Sequence, residues 1–172
     1  MTNNAIVSQI EQALRGSKFD CSTHEATEEV PQDRLLVFIG HDGQLRERII
    51  EITAQKQDMK DDKSIVQIQY IVVLPFECLD TCVSDTGNLL HFLNRQAELP
   101  GFELDELNNL ILFRHVALNI NGTAIPELSL AIIGLITMTL DLFTEPIEQV
   151  CSGKMTYDEL LSKTLELFSS TK

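Results

Sequence analysis

Cys78 and Cys82 stand at i and i+4 in a stretch with helical periodicity, a spacing that puts both thiols on one helix face. Two thiolates could share a metal ion, but a structural zinc site takes about four ligands. The other two would have to come from His91, His115 or Cys151, carried there by the fold. Without them, Cys78 and Cys82 read as small buried hydrophobes, the ordinary state of a free thiol in a reducing compartment. His24, His41, His91 and His115 are scattered, and no nucleophile motif surrounds Cys21, Cys78, Cys82 or Cys151. His115, beside Arg114 in FRHV, reads as a surface or interface position. Glu103, Asp105 and Glu106 could be read as a calcium or glycosidase carboxylate set, but they are spaced like exposed positions of a strand and its turn. The chain has no G-x-x-x-x-G-K-S/T, no G-x-G-x-x-G, no H-E-x-x-H and no G-x-S-x-G, and Gly40-His41-Asp42-Gly43 is only a hairpin turn. No enzyme, metal or cofactor is expected from this text.

Composition narrows the classes of partner. The chain of 172 residues carries 26 acidic and 13 basic residues, a formal charge of −13. Such a surface opposes sequence-independent binding to nucleic acid or to anionic membranes, both of which need basic residues. It suits partners that carry basic segments. The N-terminus lacks a basic region followed by an apolar run, so the expectation is a cytoplasmic protein, with residues 1–172 in one domain.

The elements that position these residues follow from periodicity. Ala5–Arg15 places Ile6, Ile10, Ala13 and Leu14 on one helix face. Asp20–Asp33 has no period and reads as an acidic connection. Arg34–Ile39 and Leu45–Ala54 are strands joined at Asp42-Gly43, and the polar Gln55–Lys63 reverses the chain again. Ser64–Leu74 is the clearest strand, closed by Pro75. One of its faces, Val66, Ile68, Tyr70, Val72 and Leu74, belongs in a core. The other face carries Ile65, Gln67, Gln69, Ile71 and Val73. It is only half polar, and is either covered by the last helix or a second subunit, or used to hold a partner. A helix over Cys78–Glu98, a hairpin through Asn108-Asn109, and a turn at Asn121-Gly122 come next.

Pro126 then opens an apolar helix, Leu128–Leu140, shorter than the about 20 apolar residues of a bilayer span. A membrane role is therefore not expected, and Leu130, Ile133, Ile136 and Leu140 are assigned to a core or dimer helix. Thr144 reads as the cap of a short continuation to Cys151. Thr156 and Glu159 form a capping-box pattern ahead of a final helix bearing Tyr157, Leu160, Leu161, Thr164, Leu165 and Phe168. The order α-β-β-β-α-β-β-α-α specifies an α+β fold, an antiparallel sheet of about five strands with helices packed on it.

The stretch LLHFLNRQAELPGFELDELNNLILFRHVAL, an Asn-bearing helix leading into "GF", a hairpin and an Arg-bearing strand, is followed by the helix LSLAIIGLITMTLDLFTEPIEQVCSG. This text, with the order of elements, resembles the YbjN-like proteins and the related type III secretion chaperones of the Tir-chaperone kind. The resemblance implies a secretion-chaperone-like fold in a small acidic homodimer that holds partner polypeptides on apolar grooves without a cofactor. The function expected is a non-enzymatic protein-binding module. A small-ligand-sensing regulator, with its pocket between Leu128–Leu140 and the sheet, is the alternative.

Overall fold

The computed structural model describes residues 3–28, 30–59, 64–120 and 125–169. Its elements run α1 (Asn3–Gly16), β1 (Asp20–His24), β2 (Arg34–His41), β3 (Glu47–Asp58), β4 (Ser64–Glu77), a 3-10 turn (Asp80–Cys82), α2 (Val83–Gln96), β5 (Phe102–Asp105), β6 (Leu110–Ile120), α3 (Pro126–Cys151) and α4 (Tyr157–Ser169). The fold is α+β: six antiparallel strands in the order β1-β2-β3-β4-β6-β5, with four helices packed on the sheet. The long strands alternate. In β4, Val66, Ile68, Tyr70, Val72 and Leu74 are buried, and the intervening residues are not. Period-two burial on every long strand means that one face of the sheet carries the core and the other does not.

The helices gather on the core face. α1 buries Ile6, Ile10 and Leu14 against the β1–β3 end, α3 packs on α1 and β4, and α2 lies beside β5 and α3. The Tyr70 hydroxyl, deep in this layer, donates to Ser129 Oγ at 2.8 Å and pins the first turn of α3 to the centre of β4. At the other end, the Asn94 side chain secures the link into β5. Its Oδ1 accepts the N–H groups of Gly101 and Phe102 at 3.0 Å, and its Nδ2 donates to the Phe102 carbonyl at 2.9 Å. A Cβ at Gly101 would meet the Arg114 carbonyl oxygen at 2.6 Å, so only glycine lets β5 approach β6 here.

Several expectations change. Asp20–His24 is a sixth strand, paired from Asp20↔Phe38 to His24↔Arg34. It sits at the sheet edge and buries only Cys21, so no apolar alternation marks it in the sequence. The Asp42-Gly43 turn is longer than a two-residue hairpin. Asp42 Oδ1 accepts the N–H groups of Gln44 and Arg46, and Leu45 takes a φ of 64°. β3 extends to Asp58, which shortens the next reversal; part of it (residues 60–63) and the expected Asn121-Gly122 turn lie outside the described residues. β4 continues past Pro75 to Glu77 through an irregularity between Val73 and Glu77, where the ladder asks no N–H of Pro75.

The largest change concerns α3, which is one helix of 26 residues containing Pro146. Thr144 does not cap a second helix; its hydroxyl bonds back to the Leu140 carbonyl at 2.6 Å. Proline normally breaks a helix by withholding an N–H, here the one that would serve the carbonyl of the exposed Leu142. The 26-residue length makes α3 long and apolar enough to cross a bilayer by those two measures. Its inner stripe, however, is packed into the core of this chain, with Ile133, Ile136 and Leu140 at 0% exposure. Leu130 is half-buried at the edge of the same layer. The capping box of α4 forms as read: Thr156 N–H donates to Glu159 Oε2 at 2.8 Å, and Glu159 N–H to Thr156 Oγ1 at 3.2 Å.

Candidate functional site: the uncovered sheet face

Among the described residues, the helices pack on the core face and leave the second face of the sheet open. α4, expected as a cover, packs on α2 instead: Tyr157 N–H bonds Asp85 Oδ2 at 3.2 Å, and its ring meets Phe92. Ile65, Gln67, Gln69, Ile71 and Val73 all lie on this open face, as their shared parity in β4 requires. Strand register arranges their neighbours in rows across the sheet. One row runs Asp20, Phe38, Ile49 and resumes as Val73, Leu112, Glu103. The next contains Ser22, Leu36, Glu51, Ile71 and Arg114. The third contains His24, Arg34, Thr53, Gln69 and Val116. Gln55, Gln67 and Leu118 form a fourth, and Gln57, Ile65 and Ile120 a fifth.

The rows differ in chemistry. The first two make a shallow apolar hollow shared by Leu36, Ile49, Ile71 and Val73, bordered by Glu47 and Glu51. It continues past Phe38 to Asp20 at the β1 edge. The last two rows mix amides with Leu118 and Ile120, which are 65% and 71% exposed. Two ion pairs cross the face, Arg34–Glu51 at 3.3 Å and Arg114–Glu103 at 2.6 Å. Both are solvated enough to contribute little to stability. Such a surface offers apolar area for a partner's side chains and amides for its backbone; at its β1 edge Ser22 Oγ lies 3.3 Å from His24 Nε2.

The thiols and histidines are placed differently from their expected spacing. Cys78 precedes the 3-10 turn and Cys82 ends it, so the i, i+4 helical relation does not form. Cys78 Sγ lies 3.3 Å from Thr86 Oγ1, and burial pushes its thiol up. Burial raises Cys151 to about 12, which keeps it protonated. Among the described residues, no group of three or more His, Cys, Asp or Glu side chains is arranged to hold a metal ion. His115, expected at a surface or interface, points to the core face beside Tyr70, with ring centroids 6.2 Å apart, and burial lowers its pKa.

Sequence reading passed over an ion network that fastens the β2–β3 hairpin to α3. Arg46 reaches Glu148 with both terminal nitrogens, at 3.1 and 2.6 Å, and Asp42 Oδ2 through Nε at 2.6 Å. Arg48, 4% exposed, donates to Asp141 at 2.7 Å, and its Nε is buried without a partner. Arg46's guanidinium holds Glu148 below the usual carboxylate range, against the opposing effect of burial. The available signal was parity: Arg48 shares the face of Ile50 and Ile52 in β3, so it had to enter the core layer. These side chains line a cleft of about 240 Å³ at one end of α3, below the about 300–1,000 Å³ of most small-molecule sites. Farther along, the α3–sheet seam is filled by Ile132, Ile133 and Ile136.

No known family model matches this chain, and no curated protein matches it.

Proposed function

We propose that this protein is a non-enzymatic protein-binding module, acting as a chaperone-like holder or adaptor in the manner of the secretion chaperones it resembles. A segment of a partner polypeptide lies on the open sheet face and leaves without chemical change. The observation that carries this reading is the one-sided sheet: opposite the buried face of β4, Val73 is exposed and Ile65, Gln67, Gln69 and Ile71 are half-buried, among Leu36, Phe38, Ile49, Leu112 and Val116. Contiguous apolar surface of this kind marks interaction sites in soluble proteins. The protein works in the cytoplasm as a homodimer, free of nucleic acid and membrane. Its subunits join through the outer stripe of α3, where Leu135, Met138 and Leu142 stand exposed, rather than through the buried Ile133, Ile136 and Leu140.

The test is paired capture from a lysate of the source organism, using the tagged native chain and an Ile71→Asp/Val73→Asp variant that remains folded by circular dichroism. A partner retained at near-equal stoichiometry by the first and lost by the second is the expected result. Equal recovery from both would refute docking on this face. Light scattering should give about twice the monomer mass of 19.4 kDa, and Met138→Lys should return the monomer.

A further inference from the structure

Resting on the docking function proposed above, we infer that the segment held on the open face is an extended stretch with an apolar centre and basic residues at the end that lies over β1–β3. The first row across the sheet supports this. Its middle is Phe38, Ile49, Val73 and Leu112, and it begins at Asp20 and ends at Glu103, on the two edge strands. Glu47 borders the same hollow beside Ile49. Asp20 and Glu47 are exposed and make no ion pair among the described residues. Among the described residues, the two cations of the face, Arg34 and Arg114, are already paired with Glu51 and Glu103, which leaves the unpaired acidic charge at the β1–β3 end.

Dimensions agree with a short segment. Six strands at about 4.8 Å spacing make the row about 24 Å long, the reach of about seven extended residues. A second copy of this chain fits the same surface poorly. Face-to-face packing would bring two sets of Asp20, Glu47, Glu51 and Glu103 into one interface, with only the already-paired Arg34 and Arg114 of each copy, among the described residues, to offset them. A segment with lysine or arginine at the end facing Asp20 and Glu47 meets the opposite condition, and its apolar centre covers Phe38, Ile49 and Val73. The formal charge of −13 adds long-range attraction for it.

The experiment measures fluorescence anisotropy of four labelled peptides with the full chain at about 0.15 M salt: KKLVLVLKK, its acidic counterpart EELVLVLEE, its neutral counterpart SSLVLVLSS, and KKSGSGSKK without the apolar centre. KKLVLVLKK should bind at least about tenfold more tightly than any other. Glu47→Lys should weaken it about fivefold or more, whereas Glu106→Lys, the same charge change in the β5–β6 turn, should change it less than about twofold. Ile49→Asp, with folding checked by circular dichroism, should abolish it.

If SSLVLVLSS binds as tightly as KKLVLVLKK and loses binding in Ile49→Asp, docking stands and the basic-ended segment is refuted. Equal loss in the Glu47 and Glu106 variants, or tight binding of KKSGSGSKK, would mean diffuse attraction and refute it too. Self-association in sedimentation that Ile49→Asp disperses would assign the face to a second copy and overturn the inference. Binding of none of the apolar peptides would overturn both the inference and the docking function.

Discussion

Val72 and Val73 are adjacent, identical in type and in the same strand, yet 0% and 51% exposed, so replacing each with alanine tests whether the sheet is one-sided. Val72→Ala removes two methyl groups from the core. At about 0.8 kcal/mol per buried carbon, plus a cavity that packed neighbours cannot fill, the loss is about 2–3 kcal/mol. Val73→Ala removes the same atoms from a half-exposed site where water takes their place, so about half the transfer term, about 0.8 kcal/mol, is lost. Both substitutions share the same change in intrinsic strand preference, which largely cancels in the comparison. The expected difference is therefore about 1.5–2 kcal/mol. Urea unfolding of the two variants reads it directly, with unchanged m values showing that the unfolded states are comparable. In thermal unfolding, Val72→Ala should lower Tm by about 4–12 °C, given about 2–4 °C per kcal/mol for a chain of this size. Equal costs would refute the reasoning, because they would mean that the Val73 face is covered in the native protein.

Three further outcomes follow from single interactions. Asn94→Ala should cost about 2–3 kcal/mol in urea unfolding, since two backbone N–H groups and a carbonyl at the entry to β5 lose their partner. Asn88→Ala, exposed on the same helix, should be neutral or slightly stabilising. A Tyr70→Phe and Ser129→Ala double-mutant cycle should give a coupling of about 1 kcal/mol across the 2.8 Å buried bond, and a coupling near zero would mean that the bond does not form. The hydrogen bond from Arg46 depresses the Glu148 pKa, so its stabilisation is complete above the unfolded carboxylate value of about 4.3. It is lost as pH falls through the lower folded value. The stability difference between the native chain and Arg46→Gln should therefore shrink as pH falls below about 4.3 in urea titrations, and a constant difference would rule out this linkage.

Much of the fold was legible in the chain because periodicity is local. The alternation of Val66 to Leu74, the helical spacing of Ile6, Ile10 and Leu14, and the Thr156/Glu159 capping box each depend on residues within a few positions of one another. The same alternation put Ile65 to Val73 on a second face and Arg48 on the first. Other features depended on partners distant in sequence. Asp20–His24 becomes a strand only because β2 offers it a ladder, and Thr144 and Pro146 stay helical because α3 is held along the core by Ile133, Ile136 and Leu140. Arg46 meets Glu148 across 102 positions. Whether the second face of β4 would be covered was likewise a question of where α4 docks. Packing on α2 decided it, because a helix covers whatever surface its connection lets it reach, and the short link after Cys151 brings Tyr157 onto Asp85 and Phe92 of α2.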